Sequence, residues 1–468
     1  MAAAATITSA QPALEFTGER TTTTARVARI VGKTDPGAQA RINGIDAKVY
    51  KTGCFGAEVE LNEGDNAIVL EATKDGLTTT KTITMTRTAP EHKPKHEPVM
   101  HDVMFNVLTL KGAFLQYGNG TDRLGGSKMS YIDENIPLKV VGDYANLYRV
   151  KLANNRFAFI QKELVKMDLA AEVKTVNTSS ISYGAHNNVD NVEIYLPCRL
   201  PYYTWTQLDP TTINVDLYGA MCNSNWISQH GELGMIDYID FRQVESDVMR
   251  VVIKLKKKFA WGYSVNYRNN TLVVSVKHAP ASLALKNLTI GLDAGHGGEY
   301  PGAVGNSGLQ EKVVNLQLVN LVKEMLEAKG AKVVLTRSED VNMEMWQRKQ
   351  IFLENKVDIA FSIHNNAGGS PLVDQGSSTY YKHIVNRPLA ATMLKHLTGI
   401  GLKDSGLTGN FNFSLNMPIE YPNTLLEILY MSSLPDEEKL SDAAWRKKIA
   451  QAIVAGIEDY LNQAKQDK

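Results

Sequence analysis

Residues from about 21 to 87 alternate polar and apolar positions between Gly- and Asn-rich turns, as in Ala28-Arg29-Ile30-Val31-Gly32, Asn43-Gly44 and Asn66-Ala67-Ile68-Val69-Leu70. A period of two bounded by such turns predicts a small all-β unit. Prolines and charges then crowd into residues 89–98, the pattern of an exposed linker. From Met104 to about Met167 short strands recur, with turns at Gly118-Asn119-Gly120 and Gly142-Asp143 and an aromatic return at Phe157-Ala158-Phe159-Ile160. A further strand series follows from about Ser179 to Val276, including Val192-Glu193-Ile194-Tyr195-Leu196 and Leu272-Val273-Val274-Ser275-Val276.

After Ala284 the rhythm changes. Strand-like Leu288-Thr289-Ile290-Gly291-Leu292 leads through a Gly-rich loop into a helical pattern, with Val314, Leu318, Leu321, Met325 and Leu326 near a 3.6-residue period. Segments 332–336, 358–363 and 424–428 read as further strands, with helical patterns between and after them. This alternation predicts an α/β domain whose strands are buried between helices. The expected architecture is multidomain: small all-β modules at 1–89, 103–168 and 169–284, a linker at 90–102, and an α/β domain at 285–468.

A length of 468 residues suits several domains, and 43% hydrophobic with 21% charged content is that of ordinary globular protein. Fifty basic side chains balance fifty acidic ones, which removes the positive field of a nucleic-acid or anionic-membrane binder. No apolar run approaches the roughly 20 residues needed to cross a bilayer. The start, Met1 and four alanines, lacks the charged and apolar regions of a signal peptide, which fits either a cytosolic protein or one whose signal has been removed. Three cysteines, Cys54, Cys198 and Cys222, are too few for a stapled fold and too scattered for a metal cluster; Cys198 and Cys222 are the candidate pair for a bridge.

Four side chains carry candidate chemistry, and each has an ordinary reading beside the functional one. His296, in Asp293-Ala294-Gly295-His296-Gly297-Gly298, leaves the end of the first α/β strand, where open sheets place ligand crevices. It reads as a turn residue or as an uncrowded metal ligand. Ser307-Gly308-Leu309-Gln310 has the form of a capping box, placing Glu311 at a helix start, where the helix dipole favours an acid with or without a metal. His364 closes the strand at 358–363, as a hydrogen-bonded histidine or a ligand. Glu427 interrupts Leu425-Leu426-Glu427-Ile428-Leu429; it needs solvent at the strand end or a nearby cation, because an unpaired buried carboxylate is costly. Two histidines and one glutamate form a sound tridentate set for Zn2+, with a fourth position for water.

Elsewhere the bland reading competes. His92 and His96 in the linker read as solvated side chains with metal binding as the alternative, and Lys256-Lys257-Lys258 as a solvated strand end or an attraction to an acidic wall polymer. The loop 120–126, with Asp122 and Arg123, is a hairpin loop or a contact for sugar or peptide.

Several blocks of the α/β region closely resemble the zinc N-acetylmuramoyl-L-alanine amidases of the cell-wall hydrolase type. They are Leu292-Asp293-Ala294-Gly295-His296-Gly297-Gly298, Pro301-Gly302-Ala303, Gly308-Leu309-Gln310-Glu311-Lys312, Leu335-Thr336-Arg337, Ser362-Ile363-His364-Asn365-Asn366-Ala367 and Leu425-Leu426-Glu427. The resemblance implies His296, Glu311 and His364 as zinc ligands and Glu427 as the catalytic carboxylate. It also implies a peptidoglycan substrate cut between N-acetylmuramic acid and L-alanine. Where many relatives have Gly-Phe-x-Ser-Asn after that glutamate, this chain has Ile428-Leu429-Tyr430-Met431-Ser432-Ser433. A long autoinhibitory helix that some relatives insert after the second histidine has no room, since seven residues separate Gly368 from Gly376.

The first β region resembles bacterial immunoglobulin-like modules through Ile42-Asn43-Gly44, Gly53-Cys54-Phe55 and Gly64-Asp65-Asn66. The second resembles an SH3-like barrel, and the third is similar to the β-rich targeting domains preceding many cell-wall amidases. These modules are expected to place the enzyme on the wall and contribute little to cleavage, because every metal and acid/base candidate follows Ile290. A wall substrate implies a periplasmic or otherwise extracytoplasmic location, with the signal peptide absent from this sequence. A zinc peptidase acting on stem peptides and a catalytically silent wall-binding protein are the rival readings.

Overall fold

The computed structural model describes residues 10–18, 20–90, 100–120 and 125–467, so His92, His96, Asp122 and Arg123 lie outside the described residues. In the first β region a three-stranded sheet faces a five-stranded one around Ile30, Ile42, Phe55, Ile68 and Leu70. Its Asn43-Gly44 hairpin has φ of 49° and 78°, the doubly positive turn whose twist matches paired strands. The next region folds a seven-stranded antiparallel sheet from Phe105–Thr109 to Val165–Met167. A five-stranded and a four-stranded sheet follow, the latter ordered Tyr202–Leu208, Thr211–Tyr218, Val248–Leu255, Ile236–Glu245. Cys54, Cys198 and Cys222 are all free, so the Cys198–Cys222 bridge does not form.

The C-terminal region holds β1 (Thr289–Ala294), α1 (Glu311–Ala328), β2 (Lys332–Leu335), α2 (Met345–Glu354), β3 (Ile359–Asn366) and β4 (Ser377–Tyr380). It continues with α3 (Arg387–Gly399), β5 (Asp404–Thr408), β6 (Asn423–Tyr430), α4 (Leu434–Ser441) and α5 (Ala443–Gln466). The sheet order is β2-β1-β3-β6-β4-β5, parallel except for the β6–β4 pair. α1, α3 and α5 pack on one face through Val314, Leu318, Leu389, Ile453 and Ile457. On the other face Phe352 of α2 lies against Val334, Ala360 and Tyr421. With both faces covered, the central strands read as near-continuous apolar runs, which is why they were visible in sequence. No described helix is long and apolar enough to cross a membrane.

Two local readings are corrected. Ser307 forms no capping box: α1 does begin at Glu311, but its N-cap is Gln310 without a side-chain bond, and the backbone N–H and hydroxyl of Ser307 instead donate to Glu437 Oε1 at 2.9 and 2.5 Å. A buried carboxylate on α4 competes successfully for that serine. His364 does not close its strand either, because β3 continues to Asn366, which pairs with Tyr430 of β6.

Candidate metal and acid/base site

The carboxyl ends of β1, β3 and β6 lie side by side, and the site grows from them. Asp293, near the end of β1, is fully buried. Thr336 Oγ1 and Arg348 Nη1 donate to one of its oxygens at 2.6 and 2.7 Å, and Ser362 Oγ donates to the other at 2.6 Å. Burial works to raise its pKa, yet the Arg348 charge and these bonds hold it below the ordinary carboxylate value. The carboxylate thereby fixes Arg348, whose remaining donors reach the carbonyls of Ala294 and His296 at 2.8 Å each. Arg337, also buried, donates to Ala294 O at 2.9 Å, Gly295 O at 3.0 Å and Lys312 O at 2.8 Å. Two guanidiniums thus clamp the turn that carries His296. The clamp matters because His296 has a φ of 62°, a left-handed conformation that costs a non-glycine residue energy.

From this turn His296 Nε2 points at Glu311 Oε2, 3.1 Å away. His364 Nδ1 lies 3.1 Å from the other oxygen of Glu311, and the two imidazole rings are 5.0 Å apart at 78°. The donor atoms of His296, Glu311 and His364 all fall within 4.8 Å of one another. Such convergence needs space. A Cβ at Gly302 would stand 2.4 Å from Glu311 Oε2 and 2.6 Å from His296 Cδ2, and one at Gly295 would meet the His364 ring at 2.2 Å.

Glu311 is 3% exposed. Ala303 N donates to its Oε2 at 2.8 Å, while Asn365 N and Asn315 Nδ2 donate to Oε1 at 3.0 and 3.2 Å. Burial pushes its pKa up, but the hydrogen bonds with the two imidazoles draw it far below the usual range. Burial tends to lower the pKa of His364, but Glu311, and more weakly Glu427, raise it above the ordinary histidine value. A buried carboxylate between two imidazoles is a donor set of zinc chemistry, so the residues present fit a divalent cation.

Glu427 stands opposite His364 in the β3–β6 register, which puts a half-buried carboxylate beside the triad. All four sequence candidates therefore meet at one place. Other members were missed. Asn315 Nδ2 donates to Gly295 O at 3.1 Å, and Asn365 Nδ2 to Asn315 Oδ1 at 2.8 Å, so one amide chain ties α1 to both histidine loops. Arg348 left no signal, because α2 buries only it and Phe352 and so shows no continuous apolar face for a charge to interrupt. Phe413 packs edge-on to His364 at 5.5 Å and stacks on Phe411 at 5.3 Å. Its signal was present as an aromatic alternation in a polar loop, Phe411-Asn412-Phe413.

The sequence profile of N-acetylmuramoyl-L-alanine amidases matches residues 290–459, the segment that contains this whole constellation. The probable cell wall amidase LytH of Staphylococcus saprophyticus is 31% identical over 204 residues, covering 43% of this chain and 68% of LytH. The chain belongs to the N-acetylmuramoyl-L-alanine amidase family. The amidase LytC of Bacillus subtilis is 34% identical over 200 residues, 41% of this chain and 39% of LytC. The amidase domain is also similar to the catalytic domain of CwlV from Bacillus (Paenibacillus) polymyxa, at 34% identity. That match covers 37% of this chain and 98% of the CwlV domain, with a TM-score of 0.36. The family profile itself begins at residue 290, after the β modules.

Proposed function

We propose that this chain is a zinc hydrolase that cuts the amide bond between N-acetylmuramic acid and L-alanine in peptidoglycan, outside the cytoplasm. The observation that carries the reading is the convergence of His296, Glu311 and His364 beside Glu427. In it, His296, Glu311 and His364 hold the zinc, and the two guanidiniums and the Asn315–Asn365 chain keep those ligands oriented. When bound, zinc supplies positive charge that polarises the scissile carbonyl and acidifies an attacking water. Glu427 takes the proton of that water as it attacks and returns it to the departing alanine nitrogen. The Phe411–Phe413 stack walls one side of the reacting centre against bulk water. The β modules, divided at residues 89, 102, 168 and 284, serve to retain the enzyme on its polymer.

Digestion of purified peptidoglycan tests this directly. New N-terminal alanine together with a free lactyl carboxylate is the expected product. New termini between stem amino acids would make the enzyme a peptidase, and no new termini would leave only wall binding.

A further inference from the structure

Away from the metal site, a cleft of about 330 Å3 lies between the second and third β regions. That volume is within the roughly 300–1,000 Å3 of ligand sites. One wall is the four-stranded sheet. On its strand Tyr202–Leu208, residues 202, 204 and 206 face the core, so Tyr203 and Trp205 face the cleft. Tyr203, Asp216 and Arg250 are register partners across three adjacent strands and form a row on this face. The opposite wall brings Tyr117 and Phe157, which are 51% and 40% exposed although each is a large aromatic ring.

The charges in the cleft are already matched. Arg250 donates to both oxygens of Asp216 at 2.6 and 2.9 Å, and lies over the Trp205 ring at 5.0 Å. Arg156 donates to Glu245 at 2.6 Å, bridging the two walls. A cleft with compensated charge does not select an anion or a cation. Aromatic faces combined with a fixed guanidinium–carboxylate pair, offering both donors and acceptors, suit a neutral ring with apolar C–H faces and polar hydroxyl or amide edges.

We propose that this cleft is a binding subsite for neutral chains of N-acetylated amino sugars, with Trp205 as the stacking platform and the Arg250–Asp216 pair reading the polar edge. The acetamido part of the assignment rests on the amidase reading, since that is the sugar of the polymer the enzyme acts on; the choice of a neutral saccharide rests on the cleft alone. The subsite is separate from the catalytic residues and would hold the glycan while the amidase domain works on the peptide branch.

Calorimetric titration of the full chain with N-acetylglucosamine tetramer, a probe that lacks lactyl and peptide groups, decides the matter. Binding is expected for the wild type and for Glu427→Gln. Trp205→Ala should weaken it by roughly tenfold or more, equivalent to about 1.4 kcal/mol, whereas Trp205→Phe, which keeps a ring, should stay within about threefold. Tyr117→Ala, at an exposed position, should also weaken binding and guards against misfolding as the cause. No binding to the wild type, equal affinity for Trp205→Ala and Tyr117→Ala, or titration by a sugar-free stem peptide that Trp205→Ala abolishes would overturn the proposal. The termini released by digestion are an independent readout, so the subsite and the amidase reading fail separately.

Discussion

At the residue scale the catalytic assignment can be separated from the metal assignment. Glu427→Gln keeps the size of the side chain but removes its ability to take and return a proton. Turnover should fall by roughly 10²- to 10⁴-fold, with zinc content by elemental analysis unchanged; loss of zinc would make Glu427 a ligand instead. His296→Ala and His364→Ala each remove one of the three proposed ligands and should lower zinc occupancy. Undiminished zinc in both would place the metal elsewhere. Arg348 acts one step back. Arg348→Met leaves Asp293 buried without its cation, a loss expected to cost about 3–5 kcal/mol in urea unfolding. It also frees the carbonyl of His296, so zinc affinity should drop as well.

At the element scale a buried carboxylate organises the third β region as Asp293 organises the site. Asp190 lies on a strand at 0% exposure and accepts the backbone N–H groups of Gly234, Met235 and Ile236 at 3.0, 2.7 and 2.9 Å, with His278 Nε2 at 2.6 Å. Burial alone would raise its pKa, but the three backbone donors and His278 depress it below the ordinary value. A depressed folded pKa means that the stabilisation is present above the unfolded value of about 3.9 and is lost as pH falls through the folded value. Asp190→Asn should therefore lower Tm at neutral pH, and the gap between variant and wild type should narrow below about pH 4. A gap independent of pH in thermal melts would show that the charge is not what holds residues 234–236.

At the scale of the whole molecule the β modules are not beads on a string. Tyr263 N donates to Ile419 O at 2.8 Å, Phe259 meets Tyr460 edge-on at 5.2 Å, and Lys258 N donates to Asp467 at 2.6 Å. Asn412, between the two phenylalanines beside His364, donates to Gly126 O at 2.7 Å and accepts from Lys128 N at 2.8 Å. On another side Lys33 of the first module donates to Ser307 O at 2.7 Å, and Leu434 of α4 packs with Val31 and Cys54. The expectation that these modules contribute little to cleavage thus meets a structure in which one of them braces the aromatic wall of the site. A fragment of residues 284–468 should melt at least about 4 °C below the full chain, because it exposes Tyr460 and Tyr421 and loses the Asn412 anchor. An equal Tm, measured by calorimetry, would mean that these contacts are cosmetic.

By itself the sequence determined the α/β order, the location of β1, β3 and β6, and all four side chains that meet at the site. The physical reason is that strands buried on both faces must be apolar, so a histidine or glutamate at their ends, and glycines beside them, stand out against the run. The Asn43-Gly44 hairpin was equally legible, since few residue pairs adopt two positive φ angles. Only the tertiary structure decided where Ser307 spends its hydroxyl, how far β3 extends, and that Arg337, Arg348, Asn315 and Asn365 converge on the histidine turn. Those outcomes depend on long-range partners: Ser307 bonds to Glu437, 130 residues away, and His364 to Glu311, 53 residues away. A hydroxyl, amide or guanidinium is compatible with many local surroundings, and packing alone selects its partner.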